Sequence, residues 1–268
     1  MSIAEKQKPA PGELYLDHVA HFVPDLAAAA RVAESVGFVV TPESAHRAQG
    51  APAGTSNRCL MLEEGYIEIL APTLDTSNAR RVREHMARYD GVHLACFGTP
   101  DAESEHRRLA SHGFDPEPLV DLSRELEGGG TVRFKVVYVP PPKMPEGRVQ
   151  YVQQLTPEQI WREEHLRHSN GVTGLAAVYV AARDPADTAA RWARFTGLLP
   201  RRDGDFVYLE AARGRVFVGA GEAPALAGYA LRCRDPQRFL SRCEHAGLQV
   251  KGNTVALPPA LGSAWFVV

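Results

Sequence analysis

One short pattern recurs four times along the chain and limits the folds open to it: a strand, an aspartate, a helix and a closing glycine. Leu16–Val23 (LDHVAHFV) alternates as a strand does, Asp25 opens an alanine-rich helix, and Gly37 ends it. Strands are then predicted at Phe38–Thr41, Asn57–Leu62 and Tyr66–Leu70. Gly91–Phe97, a helix over Asp101–His112 and Gly113 repeat the opening, with later strands at Val132–Val139 and Arg148–Gln154. Gly174–Val180, Asp184 and Gly197 begin a third unit. Gly228–Cys233, Asp235, a helix through His245 and Gly247 begin a fourth. Pro185 and Pro236 follow their capping aspartates in the first helical turn, where the missing N–H is no loss. An internal repeat defines architecture before any single element does. Strand, helix and three further strands, repeated, predict an α+β fold of βαβββ modules.

The chain has 268 residues, a formal net charge of −2, 44% hydrophobic and 23% charged residues, which is the profile of a soluble globular protein with room for two domains. The near-neutral balance gives no electrostatic footprint for nucleic acid or an anionic membrane surface, and no apolar run is long enough to span a bilayer. The start, MSIAEKQKPAPGE, is polar and lacks the apolar core of a signal peptide, so residues 1–13 read as a flexible leader. Cys59, Cys96, Cys233 and Cys243 form no CxxC pair and read as buried thiols, in keeping with a cytoplasmic location. Thr156–Asn170 looks helical and then loop-like. It divides a first domain (14–158) from a second (171–268), with 159–170 as linker.

The repeat beginning LDHVAHFVPDL, with GTSNR (Gly54–Arg58) and then GYIEIL (Gly65–Leu70), resembles the glyoxalase-like branch of the vicinal oxygen chelate superfamily. That superfamily includes glyoxalase I, extradiol dioxygenases and bleomycin resistance proteins. The resemblance covers nearly the whole chain from Leu16 and implies four βαβββ modules paired into two cup-shaped open barrels. It also implies a GT-x-N turn, and a divalent metal held by the first and last strands of each module. On that reading His18 lies on the first strand of module one and His93 on the first strand of module two. Glu68 lies on the last strand of module one, and Gln153 faces it in the repeat when VQQLTP is aligned with IEILAP. Strand alternation puts Leu16, His18, Ala20 and Phe22 on one face and Val19, His21 and Val23 on the other.

Neutral imidazole and carboxylate are suitable donors for Fe, Mn, Ni or Zn, and a carboxylate inside YIEIL asks for a partner. Two histidines and a carboxylate leave positions open for a substrate that chelates through neighbouring oxygens. Gln153 departs from glyoxalase I, where the resemblance implies a glutamate: glutamine offers a carbonyl oxygen but takes no proton at neutral pH. Glu68 itself, or His46 in the loop before GTSNR, is then the candidate catalytic base. His21, on the opposite strand face, reads as a core histidine. In the second half, Ala177 and Gly228 stand at or near the His18 position, and the last strands carry no carboxylate.

Other features are weaker. Glu127–Gly130 (EGGG) reads as a flexible hairpin or lid, Pro140–Pro145 as a loop brace, and Arg162–His168 as a solvated helix face. No GxSxG elbow supports a serine hydrolase. The expectation is a divalent-metal-dependent lyase, isomerase or dioxygenase acting on a small oxygen-chelating molecule, with a homodimer implied by the resemblance. The alternative, left open by Gln153 and the blank second half, is a metal-free module that sequesters a small ligand.

Overall fold

A computed structural model describes residues 2–126 and 129–268. The glycine hairpin expected at 127–130 falls partly on positions 127 and 128, outside the described residues. Asp25, Asp101, Asp184 and Asp235 each accept from a backbone N–H three residues on, and so cap α1 (Leu26–Ser35), α3 (Ala102–Ser111), α5 (Pro185–Thr196) and α6 (Pro236–His245). Between α1 and α3 comes α2 (Ser77–Met86), which the sequence pattern did not announce. The helices opened by the aspartates end at Gly37, Gly113, Gly197 and Gly247, all at positive φ, where a side chain would be strained.

The first sheet contains β1 (Tyr15–Phe22), β2 (Ser44–Ala48), β3 (Ala51–Met61), β4 (Tyr66–Pro72), β5 (Val92–Gly98), β6 (Val120–Glu125), β7 (Thr131–Tyr138) and β8 (Arg148–Gln154). Its order is β1-β4-β3-β2-β6-β7-β8-β5, closed into a barrel. β1 lies parallel to β4, β5 parallel to β8, and β1 antiparallel to β5. The open cup expected for this half is corrected: β2 pairs with β6, His46 opposite Arg124, and removes both edges. The strand expected at 38–41 does not form; Phe38 is buried in the core instead, and the strand begins at Ser44. GTSNR is not a turn but the middle of β3, which Gly54 bends at φ 80°.

The second sheet contains β9 (Val172–Ala182), β10 (Pro200–Asp203), β11 (Phe206–Glu210), β12 (Arg215–Ala220), β13 (Ala225–Cys233), β14 (Gln249–Lys251), β15 (Thr254–Ala256) and β16 (Ala264–Val267). Its order, β10-β11-β12-β9-β13-β16-β15-β14, repeats that of the barrel strand for strand, but β10 and β14 end it unpaired with each other. These strands have four and three residues, against five and six in β2 and β6.

One apolar core joins the halves: Leu16, Val19, Ile67 and Phe97 from the barrel side meet Val178, Trp192, Tyr229 and Trp265. His21 crosses the same boundary: Nδ1–H donates to the Leu261 carbonyl and Nε2 accepts from the Tyr229 hydroxyl. Within residues 2–13, Gln7 is buried and donates to the Ile3 and Glu63 carbonyls. The expected linker holds a short helix, α4 (Glu163–Leu166). No helix among the described residues is long and apolar enough to cross a membrane.

Candidate functional site inside the barrel

The barrel interior holds a cavity of about 50 Å³ lined by polar groups from β1, β2, β3, β4, β6 and β8, with α2 contributing Asn78. A bulge between Leu16 and His18 turns Leu16 outward, so His18, not Leu16, faces the cavity. His18 Nδ1–H donates to Asp17 Oδ1 at 2.7 Å, and Gln154 Nε2 donates to the same carboxylate. Its ring stacks on Tyr66 at 4.3 Å. Nε2 is left toward Glu68 Oε2, 4.0 Å away. A carboxylate behind a histidine fixes its tautomer and orientation in this way at many metal sites. Burial opposes a charge on His18, but Cys96 and the Asp17 carboxylate outweigh it and raise its pKa well above the usual value.

Glu68 is the carboxylate in the lining. Asn57 Nδ2 donates to its Oε1 at 2.6 Å, and Arg124 Nη1 donates to Asn57 Oδ1 at 3.0 Å. His46 lies on β2, not in a loop, and its Nε2 stands 3.7 Å from Glu68 Oε1 while Nδ1 meets Thr55 Oγ1 at 3.0 Å. Burial lowers the His46 pKa to about 4 despite Glu68, leaving a neutral imidazole at neutral pH. On β8, Gln150 Oε1 is buried with no hydrogen-bond partner, and Arg124 Nε is likewise unpartnered. A buried acceptor without a partner costs about 1–3 kcal/mol and marks a place where a ligand, water or ion is wanted.

The expected ligands separate here. His18, Glu68 and the candidate base His46 come together. His93 and Gln153 do not join them. His93 is the extra residue of a bulge in β5, since Ala20 pairs with Leu94 and His21 with Val92. Its Nδ1 accepts from Phe22 N–H and its Nε2–H donates to the Tyr89 carbonyl, so neither nitrogen has a lone pair to spare. Gln153 caps the outside, accepting from Ala102 N–H and donating to the Pro100 carbonyl. Strand register identifies the true equivalents. His18 pairs with Tyr66 and Glu68 lies two residues on; Leu94 pairs with Arg148 and Gln150 lies two residues on. Leu94 therefore stands in the place of His18, and Gln150 in the place of Glu68. The capping aspartates carried that signal, because His18 precedes Asp25 by seven residues and Leu94 precedes Asp101 by seven.

The donor types suit a divalent ion of intermediate hardness: an imidazole, a carboxylate and an amide line one cavity, and Leu94 stands in the fourth place without a donor. Among the described residues no group of three His, Cys, Asp or Glu side chains is placed to hold a metal ion.

A family model described as a glyoxalase-like domain matches residues 16–196. No curated protein sequence matches the chain. Among solved structures, a hypothetical protein from Staphylococcus aureus superposes with a TM-score of 0.69 at 12% identity, covering 95% of this chain and 100% of that one. A variant of 4-hydroxymandelate synthase from Streptomyces coelicolor gives 0.59 at 15% identity, covering 95% and 92%. A Mn(II)-bound glyoxalase from Novosphingobium aromaticivorans gives 0.54 at 12% identity, covering 95% and 81%. At these identities the likeness is one of fold.

Proposed function

From the chain's membership of the glyoxalase-like domain family, within the vicinal oxygen chelate superfamily, we propose that the barrel is a divalent-metal site acting on a small molecule with two neighbouring oxygens. On this reading the two sheets are two pairs of βαβββ modules, and the first pair keeps the chemistry. His18, Glu68 and Gln150 would hold the ion. When bound, it supplies Lewis-acid polarisation of a substrate oxygen. Asp17 holds the proton on His18 Nδ1, so Nε2 is the nitrogen that would serve as donor. Asn57 and Arg124 hold Glu68 in place. His46 Nε2, neutral and beside Glu68, takes a proton from bound substrate. The closed barrel and α2 exclude bulk water from this step.

A cavity of about 50 Å³ has room for an ion and a chelating group, not for a whole substrate. A second pocket of about 300 Å³ shares Arg124 as a wall and is lined further by Thr41, Ile160 and His165. We place the substrate body there, with its oxygens reaching past Arg124.

The unpartnered Gln150 Oε1 carries the metal reading. Protein stripped of metal and titrated calorimetrically with Mn(II), Ni(II), Zn(II) and Fe(II) tests it. One ion per chain is expected, with affinity reduced at least about tenfold in Gln150→Leu and lost in His18→Ala. An ion that binds all three proteins alike, or none, overturns it. One observation favours the metal-free alternative: Glu68 is already satisfied by Asn57, and Leu94 offers nothing. That reading predicts no ion, and a small ligand held in the pocket beside Arg124.

A further inference from the structure

The face of the second sheet that corresponds to the barrel interior stays open, and register shows what replaced the donors there. Ala177 pairs with Arg215 as His18 pairs with Tyr66, so Phe217 stands in the place of Glu68. Gly228 precedes Asp235 by seven residues and takes the place of Leu94. Phe266 follows as the counterpart of Gln150, because Tyr229 pairs with Trp265. The small residues leave space and the rings fill part of it. Tyr179 stacks on Phe217 at 5.2 Å and lies 4.3 Å from Phe266. A Cβ on Gly228 would stand 2.9 Å from the Phe266 ring, so that ring rests on bare backbone.

Because β10 and β14 do not meet, this face opens into a groove of about 810 Å³ that includes Tyr179, Phe217 and Arg213 in its lining. That is within the usual size of small-molecule sites. Arg213 is 9% exposed. Its Nη1 donates to Gln7 Oε1 and the Lys6 carbonyl, and its guanidinium lies 4.2 Å above the Tyr15 ring. Its Nε and Nη2 are buried with no acceptor. The acids around the groove are engaged elsewhere: Glu210 with Arg201 and Arg215, Glu64 with Arg232, Glu13 with the Tyr15 hydroxyl, and Glu5 with the Ser2 backbone N–H, while the buried Asp17 carboxylate near Arg213 accepts from His18 and Gln154. A guanidinium fork with idle donors is matched by a planar carboxylate, which accepts two parallel N–H bonds.

The geometry points to a second ligand site on this face, for an aromatic carboxylate: its carboxylate on Arg213 and its ring against Tyr179 and Phe217. Phe217 lies four steps along the chain from Arg213, roughly 13 Å if extended. The reach of the arginine side chain shortens that gap, so a ring joined to its carboxylate by a short spacer fits. The site is independent of the metal reading of the barrel.

Calorimetry with 3-(2-naphthyl)propanoate and its neutral amide tests the assignment. The acid is expected to bind with a Kd below about 1 mM and the amide at least about tenfold more weakly. Arg213→Gln should bring the acid to the level of the amide, Tyr179→Ala should weaken both, and His18→Ala should change neither. Arg213→Gln also cuts the tie to Gln7, so its melting curve is recorded, and Phe217→Ala, which leaves every Arg213 contact in place, serves as the second variant. Absence of saturable binding overturns the proposal. So does equal affinity for acid and amide, binding untouched by Tyr179→Ala and Phe217→Ala, or binding abolished by His18→Ala. A dimer in sedimentation that Phe217→Ala splits would assign the face to a second copy of the chain instead.

Discussion

Asn57 and Glu68 meet diagonally across the β3–β4 pair, two residues out of register on the same face, and the 2.6 Å bond between them decides which way the cavity carboxylate points. With Oε1 tied to Asn57, Oε2 is the atom turned to His18. The bond also places Asn57 Oδ1 to receive Arg124, so one amide serves two charged groups. Replacing Asn57 with leucine strands both. Expected is a loss of about 1–3 kcal/mol in urea unfolding. Divalent-ion affinity should also fall about 10–100-fold by calorimetry, as for removal of a group that orients a ligand. Unchanged affinity would separate Asn57 from the site.

His21 gives a stability signature that depends on pH. Trp265 Nε1–H donates to the Tyr229 hydroxyl, Tyr229 donates to His21 Nε2, and His21 Nδ1–H donates to Leu261, so the chain of donors runs one way only. A proton on Nε2 would set donor against donor. Burial accordingly lowers the His21 pKa from 6.5 to about 4. Between those values the unfolded chain binds the proton and the folded one does not. Stability is therefore full above pH 6.5, falls as the pH drops toward 4, and levels off below, a loss of about 3 kcal/mol from this residue. His21→Gln keeps a donor and an acceptor without the titration. Melting temperatures from pH 7 to 4 should fall less steeply in that variant. His46 and His85, lowered to about 4 by the same cause, keep part of the slope.

The aspartates and glycines that bound the four helices were legible because capping is local: an oxygen three residues from an N–H, and a φ that only glycine holds easily. Register is not local. A bulge at His93 shifts β5 by one residue, and in a strand one residue exchanges the two faces, so His93 lands outside and Leu94 lands inside. Gln153 lies three positions from Gln150 on a strand rich in glutamine, an odd offset that puts it on the outer face. Barrel closure rests on β2 reaching β6, a pairing of segments about eighty residues apart that no periodicity announces. α2 has its own cap in Thr76 and a buried face of Ala79, Val82 and His85, but it lies between repeats, outside the pattern that announces the other helices.

Arg191 on α5 donates to Glu146, which precedes β8 and is 1% exposed, while Trp192 Nε1 donates to the other carboxylate oxygen at 3.2 Å. This pair bridges the barrel and the second half inside the shared core. Arg191→Leu leaves a buried carboxylate without its cation and should cost about 3–5 kcal/mol in urea unfolding. Glu146→Leu should cost less, since the Arg191 side chain is 18% exposed and can reach water. The double variant should be more stable than the sum of the two losses allows, and additivity would show that the pair contributes no coupling.

The register argument has its own direct test in residues 93 and 94. Leu94 lines the cavity in the place His18 occupies on β1, whereas both ring nitrogens of His93 are committed to backbone groups. Leu94→His changes volume little and adds a third strong donor beside His18 and Glu68. Affinity for Zn(II) or Ni(II) should rise about tenfold or more by calorimetry, a gain of about 1.4 kcal/mol or above. His93→Leu removes a histidine from the sequence but none from the cavity. It should leave ion affinity unchanged, while stability falls by about 1–3 kcal/mol as the Phe22 amide and the Tyr89 carbonyl lose their partner. The reverse outcome, affinity lost in His93→Leu and unaltered in Leu94→His, would mean that β5 presents its other face to the site.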